Sequence, residues 1–182
     1  MKRTTLEILP YDASLQKLAY SFNCGNDYLN RFLRSASSLD VNRGKTYVCV
    51  TECRDVIVGY FNIGVGHIDM ISTHGNIRIG GSAHINCFAL DNRFRGTIQA
   101  TTEDGSNIYL SDILLQMCLA IIRRIRETMI GFAFVTLCST EDGHKLYLRN
   151  DFEDLDDDLD FSYSDEETDG PCYRMYLPLD FE

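Results

Sequence analysis

Residues 111–129 carry the one long run of helical periodicity in the chain, and a short apolar run flanks it on each side. Ser111 suits an N-cap and Asp112 suits the positive end of a helix. Ile113, Leu114, Met117, Leu119, Ala120, Ile121 and Ile125 spread apolar surface over more than one face, and Gly131 can end the helix. Residues 83–90 (AHINCFAL) and 132–137 read as buried strands. A helix that is apolar on more than one face must be covered, and a strand on either side makes it a crossover helix.

The remaining segments fit a mixed α/β chain with an antiparallel meander. Residues 5–9 alternate and end at Pro10, and Asp12 can cap a helix to about Tyr20. After a break at Cys24-Gly25-Asn26, the residues Tyr28, Leu29, Phe32, Leu33 and Ala36 define a helical face. Residues 45–53 and 56–63 read as strands joined by a turn at Arg54-Asp55. Residues 64–81, rich in Gly, His and polar side chains, read as a loop or ragged hairpin, and 91–106 as irregular. A short helix through Tyr147 starts at Thr140 or Asp142, and 172–179 alternates as a last strand with Pro178 at its end.

At 182 residues and 45% apolar composition, the chain is expected to form one domain, 1–182. No window is long and apolar enough for a membrane span, and MKRTTLEILP has no apolar run of signal-peptide length, so the expected location is the cytoplasm with no membrane contact. The seven Cys are odd in number, form no CxxC pair and lie mostly in apolar runs. They read as reduced, buried small hydrophobes. His67, His74, His84 and His144 lack metal-ligand spacing, so no metal is expected.

The net charge of −10 is local. Eleven of the 27 acidic residues fall in 151–170, with no Lys or Arg among them, so the other 16 nearly balance the 17 Lys and Arg. Like charges this dense read as a solvated acidic loop or hairpin, an electrostatic lure for a cationic substrate or a shield against nucleic acid.

Four segments in this order resemble the GNAT superfamily of acetyl-CoA-dependent N-acetyltransferases. FNCGNDYLNRFLRSAS (22–37) is similar to the opening of the toxin–antitoxin-like GNAT group. TYVCVTECRDVIVGYFNI (46–63) resembles the family's second and third strands, and INCFALDNRFRG (85–96) its fourth strand and the start of its pyrophosphate loop. GHKLYLRNDF (143–152) resembles the family's closing Tyr motif, with Asp151 where a Gly is usual. The family's Gly-rich signature directly before the long helix is interrupted here: after Arg93-Phe94-Arg95-Gly96, the residues 97–110 intervene.

The resemblance implies a GNAT fold of the α/β (α+β) class, with a mixed central sheet of six to seven strands flanked by about four helices. It implies acetyl transfer from acetyl-CoA to a primary amine by direct transfer in a ternary complex. Tyr147 would be the catalytic proton donor to the leaving thiolate. Phe88, Leu90, Arg95, Gly96 and Ser111 would bind the cofactor, with Arg93 a further phosphate clamp, and His84 and Asp91 are the candidate general bases. The acidic charge favours a basic protein, peptide or polyamine as acceptor and argues against nucleic acid. A homodimer and an antitoxin partner are compatible with the resemblance. The alternative is a catalytically degenerate GNAT-fold binding or regulatory module, motivated by the interrupted loop.

Overall fold

The computed structural model describes residues 6–161 and 172–179. The elements run β1 (Leu6–Pro10), α1 (Gln16–Ala19), α2 (Asp27–Arg34), β2 (Lys45–Thr51), β3 (Ile57–Met70), β4 (Ile77–Leu90), β5 (Ile98–Thr101), β6 (Asn107–Tyr109), α3 (Leu110–Thr128), β7 (Phe134–Ser139), α4 (Glu141–Leu148), β8 (Glu153–Asp154), β9 (Leu159–Asp160) and β10 (Tyr173–Pro178). Eight strands pair into one mixed sheet in the order β1-β2-β3-β4-β7-β10-β8, with β9 on β3 and the β5–β6 hairpin separate. The β4–β7 pair is parallel, as a crossover through α3 requires. This is the expected fold class.

The chain divides into two compact units. The first comprises Met1–Asn62 and Cys87–Ala120, the second Ile63–Asn86 and Ile121–Glu182. In the first, β1 lies antiparallel on β2 from Leu6↔Thr51 to Pro10↔Tyr47. Its core joins Phe22, Phe32 and Leu33 from the α1–α2 region to Val48, Val50, Ile57, Tyr60, Cys87 and Ala89 of the strands. Tyr60 anchors this cluster: its ring meets Phe22 edge-on at 5.5 Å and stacks on Phe32 at 6.2 Å, while its hydroxyl donates to the Leu29 carbonyl at 2.8 Å.

In the second unit, β10 lies antiparallel on β7 from Tyr173↔Ser139 to Pro178↔Phe134, so Pro178 closes the strand as expected. Part of the acidic block folds back here. His144 Nε2 lies 2.6 Å from Asp154 Oδ1 and its ring stacks on Tyr173 at 4.3 Å. Arg174 pairs with Asp160, and the Tyr176 hydroxyl donates to Glu153. The first ten residues of the block are therefore anchored through β8 and β9 rather than a plain solvated loop; 162–170 lie outside the described residues, as does Thr5 of the first expected strand.

The structure corrects three sequence expectations and decides a fourth. Residues 64–81, expected as a loop or ragged hairpin, are the hairpin: they continue β3 and β4 as neighbouring strands of 14 residues each, with a short connection between them. Their glycines mark close approach rather than a loop: a Cβ on Gly64 would lie 2.8 Å from Asn86 Nδ2, and one on Gly80 would lie 3.0 Å from the Phe134 ring. Residues 91–106 are ordered as a 3-10 turn, Asn92–Phe94, and the start of a hairpin. Helix α1 is only Gln16–Ala19, because Asp12 accepts from the Ser14 amide and hydroxyl instead of capping a longer helix. Helix α3 begins at Leu110, so Ser111 lies in its first turn, and Asp112 reaches back to the Tyr109 N–H at 2.8 Å. Cys24, Cys49, Cys87 and Cys118 are buried, as their apolar surroundings suggest, whereas Cys53 is exposed.

Candidate active site

The end of β4, the loop after it and the start of α3 all belong to the first unit. Along β4, Cys87 and Ala89 are buried in the core, while Phe88 and Leu90 alternate with them on the other face and are half-buried. Asp91 follows at the strand end and is only 1% exposed. Its Oδ1 accepts from the Arg93 N–H and Nε, and its Oδ2 accepts from Arg93 Nη2 and the Asn23 N–H, all at 2.8–2.9 Å. Burial pushes the Asp91 pKa up, but the Arg93 and Asn23 hydrogen bonds outweigh it and hold the carboxyl below its ordinary value. Asp91 is therefore a structural anchor that holds Arg93 through Nε and Nη2 and is poorly placed to act as a base.

Arg95 is exposed and donates from Nη2 to the Cys24 carbonyl at 2.8 Å. Gly96 takes a left-handed φ of +68°, and no heavy atom lies within 4 Å of the place a Cβ would occupy. The loop surface is thus backbone at this point, open to close approach. The next bond decides what the interruption does. The Leu110 N–H donates to the Thr97 carbonyl at 2.9 Å. Residues between them fold into the exposed β5–β6 hairpin, whose tip is tied by Thr102 and Ser106. Looping out the hairpin places Gly96-Thr97 directly at the first turn of α3. The N–H groups of Asn92, Arg93, Phe94, Arg95 and Thr97 are spent on acceptors of Asn23, Asp91, Asn92 and Phe94, so the anion-favouring element here is the positive end of the 19-residue helix, brought beside Gly96.

The loop is held by the turn before α2. The Asn23 carbonyl accepts from the Asn92 N–H at 2.9 Å, and the Asn23 N–H donates to Asp91 as described. Asn30, buried on α2, accepts at Oδ1 from the Cys24 N–H at 3.0 Å and donates from Nδ2 to Asn23 Oδ1 at 3.0 Å. The sequence reading missed both Asn residues. A signal existed: Asn30 sits four residues after the Asn26 N-cap and three before buried Leu33, a polar side chain on a buried helical face.

Tyr147 belongs to the second unit. It is 6% exposed near the end of α4, and its ring meets Phe152 edge-on at 5.5 Å. The Tyr147 carbonyl accepts from the Asn150 and Phe152 N–H groups, so the turn after α4 fixes Phe152 against the phenol. Asp151 makes this turn in the left-handed region with φ 67°, as expected from the Gly it replaces. Asp151→Gly removes that backbone cost and is expected to stabilise by about 1 kcal/mol, raising the melting temperature by about 2–4 °C; a thermal melt checks it.

His84, the other candidate base, is 2% exposed in the second unit, and its Nδ1 lies 2.9 Å from Thr136 Oγ1. Burial pushes its pKa down to about 4, so it stays neutral in the core and is a weak base.

No family model and no curated protein matches the chain. Solved structures do. A Tyr-to-Phe mutant of KacT superposes with a TM-score of 0.65 at 17% identity, over 95% of this chain and 94% of that one. A Tyr-to-Phe mutant of the AtaT toxin, bound to the C-terminus of the antitoxin AtaR and acetyl-CoA, gives 0.60 at 18%, over 97% and 94%. AtaT complexed with acetyl-methionyl-tRNAfMet gives 0.59 at 20%, over 87% and 93%. Likeness at this level of identity concerns the backbone: the chain has the fold of the AtaT and KacT toxins, the GNAT fold.

Proposed function

We propose that this chain is an acetyl-CoA-dependent N-acetyltransferase that transfers the acetyl group directly to a primary amine. The observation that carries the reading is the Thr97–Leu110 hydrogen bond, which brings Gly96 to the first turn of α3 across the interruption. Gly96, the first-turn backbone at Ser111 and the Arg95 guanidinium are the groups for the pyrophosphate, and the β4 edge at Phe88 and Leu90 is the platform for the pantetheine arm. Asp112 lowers the positive potential at the helix start, but its carboxylate is turned to the Tyr109 N–H.

In the proposed reaction, a neutral amine attacks the thioester carbonyl carbon, the C–S bond breaks, and Tyr147, in the role the resemblance gives it, hands its hydroxyl proton to the departing sulfur and takes one back from solvent. A phenol of pKa about 10 holds that proton at neutral pH. The acceptor nitrogen loses its proton to solvent through water, since Asp91 is committed to Arg93 and His84 is buried and weakly basic. A backbone N–H on the central strand is the donor for the oxyanion. The acceptor class follows two lines of support. The charge of this chain favours a basic protein, peptide or polyamine, whereas the AtaT complex makes the amino group of a charged tRNA the competing class.

The test is an acetyl-CoA titration followed by melting temperature. At a hundredfold excess over Kd, ligand is expected to stabilise the protein by about 2.7 kcal/mol. An unchanged melting temperature rejects the enzyme reading in favour of a GNAT-fold binding module.

A further inference from the structure

We infer that Asn23 and Asn30 are positioning residues for the 91–97 loop, so that the turn before α2 sets the affinity for acetyl-CoA. The inference rests on reading that loop as the phosphate-binding segment. The turn grips the loop at three places: the Asn23 N–H on Asp91 Oδ2, the Asn23 carbonyl on the Asn92 N–H, and the Cys24 carbonyl on Arg95 Nη2. Each grip uses backbone of Asn23 or Cys24, so this side of the loop is placed by that backbone, while Val58 and Leu110 hold the loop's two ends.

Two side chains fix it. Asn23 Oδ1 accepts from the Gly25 N–H at 2.9 Å and from Asn30 Nδ2, which closes the turn on itself. Asn30 Oδ1 takes the Cys24 N–H and the Cys24 thiol, and Asn30 is itself held because α2 is capped by Asn26 and tied to Tyr60 through the Leu29 carbonyl. The path from helix to loop is therefore a continuous set of hydrogen bonds whose amide donors and acceptors are matched. Removing either side chain leaves the loop sequence intact but frees the backbone that holds it.

Wild-type protein, Asn30→Ala, Asn23→Ala and Asn23→Asp would be compared by acetyl-CoA calorimetry, steady-state kinetics and hydrogen exchange of the 91–97 amides without ligand. Both Ala variants are expected to raise the Kd and KM for acetyl-CoA on the order of tenfold, the scale of one or two lost hydrogen bonds, with kcat within about threefold. Exchange in 91–97 is expected to quicken by a similar factor. Asn23→Asp keeps both acceptor bonds at Oδ1, so its 91–97 amides should exchange at close to the wild-type rate. Asn23 is exposed, so Asn23→Ala carries the test if Asn30→Ala fails to fold. Wild-type protein that binds no acetyl-CoA overturns the acetyltransferase reading and this inference with it. Wild-type protein that binds, with Asn23→Ala binding equally well and exchanging no faster, overturns the inference alone.

Discussion

Tyr147→Phe is expected to lower kcat by about a hundredfold, the lower range for loss of a general acid, while the Kd for acetyl-CoA stays within about twofold. The substitution deletes one oxygen and keeps the ring, so the edge-on contact with Phe152 and the position of Tyr147 on α4 remain. On the proposed mechanism the loss is that of the proton for a leaving thiolate, which matters only once the C–S bond begins to break. The loss should therefore appear equally in kcat and kcat/KM. Calorimetry and initial rates on the same preparation separate the two quantities, and a Phe variant with wild-type turnover removes Tyr147 from the mechanism.

Gly59→Ala is expected to destabilise the protein by about 3 kcal/mol, the upper end for overpacking a core. A Cβ at this position would lie 2.5 Å from Leu114 Cδ2 and 2.7 Å from the Ala89 carbonyl oxygen. The Leu114 side chain can rotate, but it is fully buried on α3, and the Ala89 carbonyl is backbone in β4. Relief thus needs either α3 or the β4 strand to shift. For a chain of this length the melting temperature should fall by about 6–12 °C. Because Ala89 is flanked by Phe88 and Leu90, the same shift should weaken acetyl-CoA binding, which a titration of the variant below its melting temperature would read. A variant that melts with the wild type shows that α3 can yield at no cost, and removes the close packing from the account.

Much of the fold was legible because its signals are local. The apolar faces of α3 and the alternation of β2 and β10 depend on side chains within a few residues of one another. The left-handed turn at Asp151 was legible for the same reason, since Asn-Asp is a pair that tolerates it. The distal halves of β3 and β4 were legible only as one of two alternatives, because Gly64 and Gly80 lie against Asn86 and Phe134, neighbours only across the sheet.

The candidate site divides in the same way. The chain alone determined the order of segments, the Gly at 96 and the Tyr at 147, each written in residue types at short spacing. Only the tertiary structure decided that Asp91 and Arg93 neutralise each other, that His84 is shut in the core, and that Asn23 and Asn30 hold the loop. It also decided the fate of the interruption, because a hairpin's closing bond between Thr97 and Leu110 joins residues thirteen apart, and sequence spacing carries no record of which distant backbone groups meet.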